Sequence, residues 1–527
     1  KNMAKQLTAL YAKRMSTKGH AFLPDTDLQN NFERRFEYDE TDDEDTTTDT
    51  DTETETTTES DPSLDAHGNS LWSINNTEGK RGSLYKTYGY SANGNHKMYE
   101  TDHRSNRTLY TYYENTSLVK TVQAPCRSTV SYTYDNMNQL TTMSMVVDGQ
   151  TITVNYTYDY IGNVKTIAQN GFTYAIGYDL NNNVTSIGVE GQTSLVEYTY
   201  TAGNNLKTVT YANGHKATYS YDRYGNVISE SWENGEIRQA EYVYTYDEEG
   251  NVIKTLDKTN KLLYTYKYEN GQLKQAEEYT FTDDLGANKT LRYYRKYQHK
   301  GDALSRRTDV FVNGTTEEEK VYEYHYFDED DKFTLMLPTN VKSLATVDHF
   351  GRKSFDELQL GTGFIRRDYS YVEGAYEASK LSGNLKSLPE TELVSKIVYD
   401  DGKELRYTYD TAGNIKTVRN EYGVLLEAYS YDGLGRLKTE QNVTEQFYKV
   451  YTYDAGGNIT AKKTYNCTST AIVTSATNLT LSKTDTYTYD SVWKDKLTGY
   501  NNDTYAYDGN GNPITIKGMT ATWEKTA

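Results

Sequence analysis

From Tyr134 onward, short runs of alternating apolar and polar residues break at a recurring punctuation. In the stretch Tyr156 to Asp179, Tyr156 and Tyr158 share one face of a strand and lead into Asp159. The Asp159 carboxylate is suited to accept backbone N–H groups and close a turn, Gly162 to supply a positive φ, and Asn163 to tolerate the left-handed region or bond its own backbone. A second strand, Val164 to Ala168, then reaches Asn170-Gly171, a dipeptide that favours a type I′ hairpin. The chain returns through Phe172, Tyr174 and Ile176 to Tyr178-Asp179. Each unit of roughly 22 residues is expected to hold two strands and two turns.

The register persists along the chain. The motif tyrosine falls at 134, 158, 178, 200, 221, 246 and 268, and again at 409, 431, 453, 489 and 507. Asn213-Gly214 and Asn234-Gly235 repeat the hairpin dipeptide. Neighbouring hairpins can then pair edge to edge into one continuous array. Earlier copies are degenerate, with Tyr88-Gly-Tyr90 leading to Asn93-Gly94 and Thr101-Asp102 to Asn106-Arg107. Between Glu269 and Leu405 the motif loosens, although Tyr293-Tyr294, Tyr322 to Tyr326 and Tyr369 to Tyr371 read as strands. Asp302 to Arg307 and Asp348 to Lys353 look like motif relatives. Val372 to Glu392 reads as a loop with a helical piece. The last residues to Ala527 read as a strand returning from a turn, so that the array looks open there. The expected segments are therefore 1–36, carrying a short helix; 37–61, a spacer; 62–268, a first array; 269–405, irregular repeats with insertions; and 406–527, a second array.

At the amino end, Met3, Leu7, Leu10 and Tyr11 recur at helical spacing among Lys1, Lys5, Lys13 and Arg14, as in a docking helix or, less fittingly with four apolar positions, a membrane-surface anchor. Glu37 to Asp61 is a Thr-rich acidic tract that cannot bury enough surface to offset ordering entropy, and it reads as a solvated linker.

Composition sharpens the array. There are 53 Tyr against 12 Phe, and tyrosine suits a pleated surface with one wet side. A mean hydropathy of -0.84 leaves too little aliphatic matter for a thick core. The net charge of -19 is concentrated, since 13 of the 75 acids lie in Glu37 to Asp61, where no base occurs. The remainder is nearly balanced, so no nucleic-acid binding is inferred. Cys126 and Cys467 are far apart in sequence and read as free thiols. No run of about 18 apolar residues is present to span a bilayer. Lys1, with no apolar signal core behind it, reads as the start of a processed chain or an excerpt.

The sets Tyr158-Asp159-Tyr-Ile-Gly162-Asn163, Tyr221-Asp222-Arg-Tyr-Gly225-Asn226, Tyr246-Asp247-Glu-Glu-Gly250-Asn251, Tyr409-Asp410-Thr-Ala-Gly413-Asn414, Tyr431-Asp432-Gly-Leu-Gly435-Arg436 and Tyr453-Asp454-Ala-Gly-Gly457-Asn458 resemble the YD-repeat family. That family includes bacterial Rhs and wall-associated proteins, the shell component of Tc toxins and the teneurins. The resemblance covers about residues 85–527. It implies an all-β fold of spiralling antiparallel hairpins forming a hollow shell, which in bacterial members often encloses a C-terminal toxin. The Asp-Pro-rich terminal core and autocleavage point of toxin-bearing members have no counterpart in this chain, whose one Asp-Pro is Asp61-Pro62.

Catalysis needs acids gathered at one place in environments that separate their pKa values. One Asp per turn is instead a turn-forming device, so no catalytic residue, metal site or cofactor is assigned. His299, His325 and His349 lie in the irregular part, but their spacing specifies no metal. Gly509 to Pro513 is a hairpin turn with no helix behind it for phosphate. Tyrosine rows suit packing first and sugar or protein contact second. Sequons such as Asn155 to Thr157 and Asn313 to Thr315 would be glycosylation sites on a secretory route. The expected function is a secreted or cell-surface, non-enzymatic shell for a toxin or cargo domain beyond Ala527. The alternatives are an adhesion or glycan-binding module and a filament subunit.

Overall fold

The computed structural model describes residues 64–67, 69–70, 72–75, 83–283, 286–326, 332–348, 350–375, 389–509 and 511–521. All belong to the contact unit Ser63–Ala527. The amino-terminal helix, the acidic spacer and His349 lie outside the described residues.

The described residues form 38 strands, from Trp72–Asn75 to Met519–Thr520. Each pairs antiparallel with the next in sequence, as in Gln150–Tyr158 with Val164–Gln169 and Val164–Gln169 with Phe172–Tyr178. The fold is a spiralling all-β sheet of hairpins, as the tyrosine register predicts. Strand Ser83–Tyr90 also pairs in parallel with Pro389–Tyr399 through Ser83↔Pro389 and Leu84↔Glu390, which brings a late part of the sheet alongside an early one.

Local chemistry sets this meander. At Tyr158 the ladder skips a residue, from Thr157↔Thr166 to Tyr158↔Val164, and the bulge adds the twist that a long sheet requires. Asn170 and Gly171 both take positive φ, 50° and 73°, as a type I′ turn demands. Asn213-Gly214 and Asn234-Gly235 differ from expectation, because only their glycines do so, at 90° and 60°.

The core is thin and divided. One buried cluster joins Met145, Val147 and Ile152; another joins Leu256, Leu263 and Phe281. Some strands alternate exposed and half-buried residues, as in Arg107–Tyr112 and Val196–Tyr200, and many others are half-buried along most of their length, as in Gln272–Phe281.

The central stretch is more regular than its sequence suggests. It holds long hairpins such as Lys289–Lys300 with Ala303–Asn313. The loop expected over Val372 to Glu392 begins and ends in strand, since Gly363–Glu373 and Pro389–Tyr399 pair with each other. Ladder pairing takes up the two ends of that segment; residues 376–388, where the helical piece would fall, lie outside the described set. Asp348 builds a motif turn, its Oδ1 accepting the N–H groups of Phe350 (2.9 Å) and Arg352 (3.0 Å). Asp302 does not, since the register Lys300↔Ala303 leaves it in a two-residue turn too short to fold a carboxylate back.

Candidate functional site: the Tyr-Asp turns and the seam between sheet layers

Each motif turn is organised by one carboxylate. Asp159 Oδ1 accepts the N–H groups of Ile161, Gly162 and Asn163, each at 2.9 Å. Its Oδ2 accepts the Asn163 side-chain amide, also at 2.9 Å. Asp222, Asp247, Asp410 and Asp454 bind the amides of Asn226, Asn251, Asn414 and Asn458 in the same way. In the Asp432 turn Arg436 replaces the asparagine, its Nε donating at 2.6 Å. Gly162, Gly225, Gly250, Gly413, Gly435 and Gly457 all sit at positive φ between 79° and 104°. The Asn163 side chain, with the turn N–H groups, outweighs slight desolvation and lowers the Asp159 pKa.

The motif tyrosines link one repeat to the one before. Tyr158 donates its phenol proton to the Leu140 carbonyl at 2.7 Å, Tyr221 to Leu206 at 2.6 Å and Tyr246 to Val227 at 2.8 Å. Tyr409, Tyr431 and Tyr453 reach Val394, Ile415 and Leu437 at 2.7, 3.0 and 2.7 Å. For Tyr158, Tyr221, Tyr246, Tyr431 and Tyr453 the acceptor lies on the strand that returns from the preceding turn of the register, and for Tyr409 it lies on Pro389–Tyr399, so the phenols form a row of cross-strand rungs. Sequence reasoning placed these tyrosines in a packing ladder and missed the rung; the preference for Tyr over Phe is the signal that could have found it. Burial raises the pKa of each of these phenols, as at Tyr158 and Tyr221. On the opposite face, Thr157 pairs with Thr166 at 2.5 Å and Thr199 with Thr208 at 2.6 Å.

A second set of contacts joins parts of the chain 284 to 321 residues apart. Turns of the first layer at the edge away from its Tyr-Asp turns, namely hairpin tips and the Asp102 turn, which is bonded like a motif turn, meet motif turns of the second. Ser128 N–H donates to the Gly433 carbonyl at 2.8 Å. Arg104 Nη1 donates to the Asp410 carbonyl at 2.8 Å. Asn170 Nδ2 donates to Asp454 Oδ2, and Asn213 Nδ2 to Asp508 Oδ2, both at 2.9 Å. The same Oδ2 atoms accept Asn458 and Asn512 at 3.0 Å, so one carboxylate oxygen serves its own turn and the facing layer. Trp493 Nε1 donates to Tyr174 OH at 3.0 Å, and Tyr174 OH donates to Asp495 Oδ2 at 3.1 Å. Burial raises the pKa of both Tyr174 and Asp495. Ala455 packs on the Met145 cluster, giving the seam its apolar part.

The arrangement distributes the motif carboxylates along edges and does not gather them. Among the described residues, no three His, Cys, Asp or Glu side chains are grouped to hold a metal ion. Cys126 is exposed and Cys467 buried, both as free thiols. An open hollow of about 340 Å³ is lined by Tyr407, Tyr429, Tyr431, Glu427 and Asn442, among others. Tyr429 OH donates to Glu427 Oε2 at 2.5 Å, and Asn442 Nδ2 to its Oε1 at 3.2 Å. No helix among the described residues is long and apolar enough to cross a membrane.

The register, the motif turns and the spiralling sheet are similar to those of YD-repeat proteins of the Rhs kind. The fold matches a solved structure of the Photorhabdus luminescens Tc holotoxin pore with a TM-score of 0.59 over 84% of this chain, at 15% identity; the match covers 24% of that chain. In sequence, the tRNA3(Ser)-specific nuclease WapA of Bacillus spizizenii is 28% identical over 180 residues, which are 33% of this chain and 7% of that protein. This chain therefore spans no more than a quarter of either relative's length. No family model matches it.

Proposed function

We propose that the chain is a wall segment of a non-enzymatic, secreted or cell-surface shell that encloses a toxin or other cargo domain encoded beyond Ala527. The observation that carries this reading is the seam: a sheet that bonds to itself some 300 residues later builds a continuous wall instead of a flat ribbon. The likeness to a toxin assembly and to a nuclease supports the choice of cargo. In this reading Tyr158, Asp159, Gly162 and Asn163 and their equivalents are structural, residues 62–527 are wall, and residues 1–36 and 37–61 are an N-terminal segment and a linker. The test is protease treatment of the natural protein. A segment following Ala527 should survive while a tag fused outside the wall is cut; cleavage of both at the same rate would overturn the proposal.

The hollow beside Glu427 favours a second reading, glycan binding, because it joins phenol faces to a carboxylate and an amide. Glycan-array binding lost in both Glu427→Gln and Tyr429→Ala would support it, and no binding to any glycan would remove it.

A further inference from the structure

Motif turns come in two kinds, and the two residues between the Asp and the positive-φ position separate them. Turns that meet the other layer carry small residues first: Thr411, Gly433, Ala455 and Gly509. These residues lie against the facing tips. A Cβ on Gly433 would collide with Ser128 Oγ, one on Gly509 would lie 2.6 Å from the Ala212 carbonyl oxygen, and one on Gly456 would lie 2.8 Å from Asn170 Nδ2. None of these three glycines has positive φ, so close approach and not backbone conformation requires them.

First-layer turns are built from the same Asp, bonded the same way, yet they carry large residues. Tyr160, Leu180 and Tyr224 are 82%, 90% and 72% exposed, and Ile161 and Met137 are exposed beside them. Two first-layer turns depart from this, with Ala92-Asn93 and Ala202-Gly203, but there Ser91 and Thr201 stand in the Asp position and offer no carboxylate to a facing tip.

We propose that this residue pair is a stacking code. An Asp followed by small residues makes a turn that seats on a hairpin tip of another layer. On the edge that carries the Tyr-Asp turns, an Asp followed by large residues makes a terminal edge that rejects the tips of a second copy of this chain; the Asp102 turn, with His103 and Arg104, lies on the opposite edge and is itself a tip that bonds the Asp410 turn. The code explains why a protein carrying both complementary edges need not grow head to tail: exposed tips such as Asn234-Gly235 and first-layer turns have matching hydrogen-bonding groups, and bulk alone keeps them apart.

A matched pair tests the seam half. Gly456 and Gly203 hold the same place in an Ala-Gly turn, and neither has positive φ; beyond Cβ, Gly203 has nothing nearer than its own turn's Thr201. Gly456→Tyr in the full chain should raise amide hydrogen exchange at least tenfold around Asn170 and Val147, while Gly203→Tyr leaves exchange unchanged. Equal effects, or none from Gly456→Tyr, would overturn it. Gly456→Ala supplies the same readout at smaller size if the tyrosine variant does not fold. For the edge half, sedimentation velocity should show no self-association of the parent chain through this edge. A variant with Tyr160→Ala, Ile161→Gly, Leu180→Ala, Arg223→Ala and Tyr224→Gly should associate with rising concentration, and lose that association when Asn234→Asp is added. A shaved variant that stays monomeric, or one whose association ignores Asn234→Asp, would overturn the edge half.

Discussion

The regular repeats and the central stretch build the same hairpin sheet with different cross-links. Between Tyr134 and Tyr221, neighbouring repeats are tied by phenol-to-carbonyl rungs and hydroxyl pairs, which are neutral. From Lys289 to Glu373 the ties are charged. Arg295 and Arg307 converge on buried Asp309 at 2.9 and 3.2 Å; Arg367 and Lys353 converge on Asp356 at 2.8 and 3.0 Å. Tyr371, donating to the Lys353 carbonyl at 2.7 Å, continues the phenol rung there. A motif tyrosine fixes the repeat length, because its acceptor must lie on the previous return strand. Ion pairs across a ladder make no such demand, and strands in the central stretch reach 12 residues.

The largest expected divergence is alkaline. Burial pushes Tyr198, Tyr264 and Tyr489 up to about 12 from 10.0, and the motif tyrosines are also raised. A raised folded pKa contributes stability that is complete below the unfolded value of 10.0 and is lost as pH rises through the folded one. A phenolate also has no proton to donate to a carbonyl. Burial also pushes Tyr293 and Tyr369 of the central stretch up to about 12, so between pH 10 and about 12 hydrogen exchange should rise in both regions. It should rise first in the regular repeats, whose ties are themselves phenol donors, and the reverse order would break the division. Next in size is Asp309→Ala, which leaves two half-buried arginines facing each other. Breaking a buried pair costs about 3 kcal/mol or more, reduced here to about 2 because both guanidiniums reach solvent. Exchange should rise in Lys289–Lys300 and Ala303–Asn313, with the repeats around Tyr158 unaffected.

Much of this was legible in the residues. The Tyr-Asp-x-x-Gly-Asn register located each motif turn, since an Asp carboxylate and a positive φ solve a local problem that the sequence states locally. The phenol rung was not legible, because its acceptor is a backbone carbonyl that every residue possesses. The seam was harder still: its partners stand 284 to 321 residues apart, an offset set by how far the sheet winds and not by any one repeat. The central ladder was hidden for a third reason. Its strands mix charged and aromatic residues without regular alternation, as in Arg292 to His299, so an apolar-polar count finds little periodicity where cross-strand pairing is complete. Even the small residues of the stacking turns were visible, but only the facing tip gives their size a meaning.

Two smaller effects sharpen the comparison. Tyr221→Phe removes one rung of 2.6 Å and leaves the Leu206 carbonyl without its phenol partner, at a cost of about 1 kcal/mol. Exchange should quicken in Leu206–Tyr211 and His215–Tyr221 and be unchanged by 1 M salt, since neither partner is charged. Salt itself should act on the other region. The Arg367–Asp356 and Lys353–Asp356 pairs have partly exposed cations, and such pairs contribute roughly 0.2 to 1 kcal/mol each. At 1 M salt the screening length falls to about 3 Å, so much of that contribution should go. Strands Lys353–Leu360 and Gly363–Glu373 should then exchange up to several-fold faster, while Gln150–Tyr158 does not change. Equal salt sensitivity in the two regions would mean that backbone ladders alone hold both, and that the charged ties are only surface decoration on a sheet already complete without them.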